Sequence, residues 1–233
     1  MKRYDEWFAE MWEFIRLALP TEGPAGSAGF VIEIGCGRLG GFVPRLRAAG
    51  YDTVGVDPVA PEEPGYERVE FEQYQPPEPA SAVVACTSLH HVDDLDVALD
   101  HVAAVLAPGA PLIVIEMGWE RYDEATARWC FGRLSDVDLD SDEAGWLHHH
   151  RAEFAASGLS WDEYFDGWAT GEGLHKGQRI VRGLDARFDR ISCQDGPYCF
   201  ADLDAVTAAE ERAAIDAGQI NAVGIQYLAT ARQ

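Results

Sequence analysis

"VIEIGCGRLGGFVPRL", residues 31–46, sets a Gly-Cys-Gly-Arg-Leu-Gly turn between an apolar run and an amphipathic segment. "FVIEIG" reads as a short buried strand, and "GFVPRLRAAG" as a helix with Phe42, Val43, Leu46 and Ala49 inward and Gly50 past its end. A strand that enters a helix through glycines lets the backbone come close to a ligand. "YDTVGVDP" follows as a second strand stopped by Pro58. Its Asp57 lies twenty residues beyond Gly37, at the spacing of a carboxylate that holds ribose hydroxyls.

The same alternation continues outward. "YERVEF" reads as a third strand, "SAVVACTS" as a fourth and "PLIVIEM" as a fifth, apolar enough to be covered on both faces. Between the last two, "DDLDVALDHVAAVLAPG" is a helix capped by Asp93 or Asp94, with Leu95, Ala98, Leu99, Val102 and Leu106 inward. Apolar strands alternating with helices predict an α/β fold with a doubly wound, mostly parallel sheet. The crossovers at 58–66 and 72–80 are short and proline-rich, so loops or single turns are expected there. Residues 4–19 place Trp7, Phe8, Met11, Trp12, Ile15 and Leu19 at helical spacing, and "TEGPAGSAG" reads as a flexible connection. From 119 to 170 the chain reads as a helical insertion rich in Trp, Tyr and His, broken by the acidic "SDVDLDSDEAG". "GEGLHKGQRIVRGLDA" then returns to a helix, "RFDRISCQ" to a strand, "DLDAVTAAEERAAIDAG" to a helix and "INAVGIQYLATAR" to a last strand.

At 233 residues the prior is one domain with insertions. A formal net charge of -22, with Lys2 and Lys176 the only lysines and no basic run, excludes nucleic acid as the expected partner. No apolar run approaches the ~20 residues of a membrane span, and the N-terminus lacks the apolar region of a secretory signal. Five scattered cysteines without C-x-x-C spacing fit a reducing cytoplasm, and no metal site is expected.

Two ligands suit the glycine loop and Asp57 alike: a dinucleotide and S-adenosyl-L-methionine. Glu33 separates them. Two phosphates would be repelled by a carboxylate just before the loop, whereas an ammonium and a sulfonium are attracted by it. With "VIEIGCG", "VGVDP" and "VVACTSLHHVDDLDVALDHVAAVLAPGAPLIVIE" in place, nearly the whole chain resembles the class I S-adenosylmethionine-dependent methyltransferases. The long block, with its L-x-P-G turn, is the most specific match.

That resemblance implies a seven-stranded sheet of order 3-2-1-4-5-7-6, the seventh strand antiparallel. It also implies that Glu33, Gly35 and Gly37, with Cys36 in the turn, surround the methionine part of the cofactor, and that Asp57 holds the ribose. Pro58 would pack beside the adenine, Glu72 and Gln73 would meet its amino edge, and Thr87, Ser88 and Leu89 would line the site near the sulfonium. Leu39 stands where the family has its third glycine, with Gly40 one step later, and the short loop after residue 72 loosens the placement of Glu72 and Gln73.

A hydroxyl or amine acceptor calls for a base titrating near neutrality, which histidine supplies. His91 in "SLHHV", His149 in "WLHHHRAEF" and His175 in "EGLH" are the candidates. Each has an ordinary alternative in shaping the pocket or packing a helix. The resemblance implies lids over the acceptor formed by residues 1–20 and 119–170, where Trp7, Trp12, Trp119, Trp146, Trp161, Tyr164 and Trp168 either line a pocket or pack as core. The nucleic-acid amino-methyltransferase signature is missing after the fourth strand, where "CTSLHH" stands. The expected function is methylation of oxygen or nitrogen in a small-molecule acceptor; a homodimer is left open. The alternatives are an S-adenosylmethionine binder of the same fold that has lost transfer and serves as a cyclisation catalyst or partner subunit, and, less favoured, an NAD-dependent oxidoreductase.

Overall fold

The computed structural model describes residues 2–21, 29–141 and 143–232. The connection read at "TEGPAGSAG" falls largely outside them. In chain order the elements are α1 (Lys2–Ala18), β1 (Phe30–Ile34), α2 (Val43–Ala48), β2 (Asp52–Val56), β3 (Tyr66–Glu67), β4 (Ala82–Cys86) and α3 (Leu95–Val105). There follow β5 (Pro111–Met117), α4 (Glu124–Phe131), α5 (Trp146–Ser157), α6 (Trp161–Gly171), α7 (Gly177–Arg187), β6 (Phe188–Gly196), α8 (Ala208–Asp216) and β7 (Gly224–Ala231).

The strands form one sheet in the expected order, β3-β2-β1-β4-β5-β7-β6. β1 pairs in parallel with β2 and β4, β2 with β3, and β4 with β5. β7 runs antiparallel to β5, since backbone bonds join Ala110 to Ala231 at one end and Gly118 to Val223 at the other. β1 and β4 are buried along their whole length, which is why their sequences are near-continuous Val, Ile and Ala rather than alternating. The Asp94 carboxylate starts α3 by accepting from the N–H groups of Asp96 (3.0 Å) and Val97 (3.2 Å), and the inward stripe read from the sequence is buried.

Several boundaries differ from the sequence reading. β3 is two residues long, because β2 ends at Val56 and offers only Gly55 and Val56 as partners. Residues 68–70 of "YERVEF" are irregular and Phe71 opens a single 3-10 turn, Phe71–Gln73; as expected, no α-helix fills either short crossover. α2 stops at Ala48, so Ala49 is exposed rather than inward. The helix expected from residue 171 begins at Gly177, after α6 closes at Gly171. α8 waits for Thr207, whose hydroxyl accepts from the Glu210 N–H while the Glu210 carboxylate returns to the Thr207 N–H.

The chain divides into two compact units. The larger holds residues 11–116, 175–194 and 225–233, and its core packs α3 and α7 residues such as Leu95, Leu99, Ile180 and Leu184 with Ile32, Val83, Val114 and Tyr227 of the sheet. The smaller holds residues 1–10, 117–174 and 195–224 and has an aromatic core. Trp161 and Phe165 stack there with ring centroids 4.8 Å apart, and the Trp161 indole N–H donates to the Tyr122 carbonyl at 2.6 Å. Trp119 and Trp161 are therefore core residues of that unit, not pocket lining. Among the described residues no helix is long and apolar enough to cross a membrane, and no group of three His, Cys, Asp or Glu side chains could hold a metal ion. All five cysteines are free.

Candidate functional site

The carboxyl ends of β1, β2, β4 and β5 open on one edge of the sheet, the edge where doubly wound folds bind ligands. At β1 the glycine loop is fixed from two sides. Glu33, 1% exposed, turns its carboxylate to the start of α2 and accepts the Phe42 N–H at 2.8 and 2.9 Å. Burial raises its pKa to about 8 against the backbone hydrogen bonds from Phe42 and Val43, and the charge of Asp57 adds to the rise. Asp57, at the end of β2, accepts the Gly37 N–H at 2.9 Å with one oxygen and the Val59 N–H at 2.8 Å with the other. Glu33 and Asp57 thus tie the loop to both strands. Glu33 was expected to act by its charge alone, and its bond to Phe42 is a structural task that the sequence did not disclose.

Gly35 and Gly37 serve the loop differently. Both have positive φ, 74° and 62°. A Cβ at Gly35 would lie 2.2 Å from Ser88 Cβ, whereas one at Gly37 would meet nothing within 4 Å. Gly35 therefore lets β1 and β4 close on each other, and Gly37 keeps an open face for a ligand. Gly35→Ala is expected to cost about 3 kcal/mol or more in stability through clash and strain. Gly37→Ala should cost only about 1–2 kcal/mol, the left-handed penalty, and act mainly on cofactor affinity. Denaturant unfolding and calorimetric titration of both variants check this; equal stability losses would remove the division of roles. Cys36 is buried with its Sγ against Gly55, and burial, then Glu33 and Asp57, push its thiol up to about 12; it packs the turn.

At β4 the chain turns sharply. Thr87 has φ 51°, an uncommon conformation for a β-branched residue, and its N–H still bonds the Ile115 carbonyl at 2.7 Å. The turn is held by Glu116 at the end of β5, a fully buried carboxylate absent from the sequence-based candidates. Its Oε1 accepts the N–H groups of Ser88 (2.9 Å) and Leu89 (2.6 Å), and its Oε2 lies 2.6 Å from His90 Nδ1. The Leu89 side chain, expected to line the site, is in the core instead, because its backbone is turned to Glu116. Ser88 Oγ is buried without a hydrogen-bond partner, at the point where the fourth strand faces the glycine loop.

The remaining expected residues scatter more. Pro58 and Gln73 are exposed, and Glu72 is half-buried on the 3-10 turn after β3. His91 is exposed, with its ring centroid 4.1 Å from that of His90; desolvation first, then the neighbouring His90, lower its pKa. His175 precedes α7 in the larger unit, and its Nε2 lies 2.8 Å from the Val92 carbonyl, to which it must donate. In the neutral ring this leaves the lone pair on Nδ1. His149 is exposed on α5 of the smaller unit.

Asp57 and Glu116 make this edge acidic, Glu33 adds a charge where it ionises, near pH 8, and the loop's one arginine, Arg38, is exposed. The donor set fits S-adenosylmethionine: carboxylates for its cationic methionine end, Asp57 for a ribose diol and an unpartnered Ser88 hydroxyl beside the loop. It offers little to a pyrophosphate.

A methyltransferase-domain family model matches residues 4–168. None of the curated proteins compared with the chain matches it. Solved structures resemble it in fold. The N-methyltransferase NodS from Bradyrhizobium japonicum WM9 is 14% identical with TM-score 0.52, covering 98% of this chain and 99% of its own. The geranyl diphosphate C-methyltransferase from Streptomyces coelicolor A3(2), crystallised with Mg2+, geranyl diphosphate and S-adenosyl-L-homocysteine, is 17% identical with TM-score 0.52, covering 96% and 78%. The PH0226 protein from Pyrococcus horikoshii OT3 is 13% identical with TM-score 0.55, covering 96% and 89%. The glycine loop anchored by Glu33 and Asp57, the sheet order and the matching domain agree: the chain belongs to the class I S-adenosylmethionine-dependent methyltransferases.

Proposed function

We propose that this protein transfers a methyl group from S-adenosylmethionine to an oxygen or nitrogen atom of a small-molecule acceptor. The observation that carries the reading is the pairing, at one sheet edge, of carboxylates suited to a cationic cofactor with imidazoles suited to an acceptor's proton. Glu33, Gly35 and Gly37 would hold the methionine end, Asp57 the ribose, Pro58, Glu72 and Gln73 the adenine, and Thr87 and Ser88 the region of the sulfonium. Bound there, S-adenosylmethionine supplies an activated methyl group; the chain's own contribution is to position the acceptor, exclude water and accept a proton. A net charge of -22 supports a small acceptor over nucleic acid. Residues 1–20 and 119–170 serve in this reading as lids, and a cytoplasmic setting suits the five free thiols.

The test is incubation with methyl-labelled S-adenosylmethionine and a low-molecular-weight metabolite extract, following products heavier by one methyl group. No labelled product from any fraction would overturn the reading in favour of an inert binder. Asp57→Ala should weaken S-adenosylhomocysteine binding by roughly 1.5–3 kcal/mol, the worth of hydrogen bonds to a charged group. Wild-type affinity in that variant, by calorimetry, would remove Asp57 from the site.

A further inference from the structure

Glu116 and His90 form a buried pair whose chemistry differs from that of the other histidines. A carboxylate oxygen only accepts, so His90 Nδ1, 2.6 Å from Glu116 Oε2, carries the proton. The neutral ring is thereby fixed with its lone pair on Nε2, and the one side-chain hydrogen bond of His90 among the described residues is that at Nδ1. The His90 side chain keeps 11% of its exposure and the Glu116 side chain none. Burial disfavours the imidazolium, but the charge and hydrogen bond of Glu116 outweigh it and raise the His90 pKa. The same Glu116 holds the Ser88 and Leu89 N–H groups, so the ring is locked to the turn that closes the fourth strand.

We propose that His90 is the proton acceptor of the methyl-transfer reaction and that Glu116 is its positioning residue, an assignment that rests on the transferase reading above. An acceptor lone pair forms the new bond to the methyl carbon as the carbon–sulfur bond breaks onto sulfur, leaving S-adenosylhomocysteine, and the acceptor's proton passes to His90 Nε2. The imidazolium so formed sits against the Glu116 carboxylate until Nε2 returns its proton to solvent. The titratable groups against the His90 ring are Glu116 from β5 and His91 beside it in the chain; His175 meets His90 through its backbone N–H, which donates to the His90 carbonyl at 2.9 Å, while its ring turns to the Val92 carbonyl.

The test has two readouts on the full-length protein. Long-range proton–nitrogen NMR of histidine-labelled protein with S-adenosylhomocysteine should show one histidine held as the Nδ1–H tautomer and titrating above the ordinary range. Glu116→Gln keeps an oxygen for Ser88 and Leu89 but lacks the charge, so it should lower that pKa and free the tautomer. In label transfer to the metabolite extract, His90→Gln should lose roughly 10²–10⁴-fold in rate with S-adenosylhomocysteine affinity within about threefold. Glu116→Gln should move the acid limb of the pH–rate profile to lower pH, which a purely structural role would not do. Full transfer by His90→Gln, or an unmoved limb in Glu116→Gln, overturns the proposal. Absence of the tautomer signature in an active wild-type enzyme removes the pair alone. An intact signature with no transfer to any fraction removes the transferase reading, and the proton-accepting role with it.

Discussion

Glutamine in place of Glu33 is expected to stabilise the protein above pH 8 and to change its stability little near pH 5. The carboxylate is 1% exposed, its two oxygens share the Phe42 N–H, and burial raises its pKa to about 8. The folded protein therefore keeps a proton that the unfolded chain releases near its ordinary value of 4.5. For a group raised on folding, stability is full below the unfolded pKa and is lost as pH rises through the folded one. The window here runs from about 4.5 to about 8. A shift of this size is worth up to ~5 kcal/mol at 1.36 kcal/mol per unit. Glutamine retains an oxygen for Phe42 and carries no charge, so it should escape that loss. Thermal unfolding at pH 5 and pH 8.5 checks the sign: wild type should lose stability between them and Glu33→Gln much less. Parallel losses would mean that Glu33 is ionised throughout. A cationic ligand favours the ionised form, so wild-type affinity for S-adenosylmethionine should rise with pH across the upper part of the window and stay flat in the variant.

Glu33 also shows what the sequence could and could not disclose. Its position before the glycine loop was legible, as were Asp57 at its twenty-residue spacing and the alternation of apolar strands with helices, because these are local patterns; the strand order followed only from the resemblance of those motifs to a family. Its bond to Phe42, nine residues on, depends on how α2 begins, and no periodicity reports that. Glu116 left a faint signal, one carboxylate inside the apolar "PLIVIEM", but its partners lie 26 to 28 residues earlier, on the turn that follows another strand. The choice between His90 and His91 was beyond reach for the same reason. Thr87, at the start of the turn that carries both, has a left-handed backbone that its residue type rarely adopts. Aromatic content in 119–170 could not separate core from lining either; burial assigns Trp119 and Trp161 to the core.

Removing residues 1–20 is expected to unfold or aggregate the protein, whereas removing residues 1–10 should leave it folded. The two halves of α1 fall in different compact units, and the second half belongs to the unit of the sheet. Met11, Ile15 and Leu19 are buried at successive turns of one face. The Gln226 side-chain amide of β7 reaches Met11 Sδ at 4.0 Å, and the Pro20 carbonyl accepts the Tyr51 hydroxyl at 2.7 Å, just before β2. Losing the burial of three such side chains costs roughly 4.5–9 kcal/mol at 1.5–3 kcal/mol each, which is comparable with the whole stability of an average domain. The lid role of the N-terminus must therefore be tested on residues 1–10 alone. If they cover the acceptor, the shorter truncation keeps wild-type affinity for S-adenosylhomocysteine and loses label transfer to the metabolite extract. Full transfer by that variant would confine α1 to packing and withdraw the lid from this segment. A folded, soluble protein lacking all of residues 1–20 would show that the buried stripe at Met11, Ile15 and Leu19 contributes far less than its burial implies.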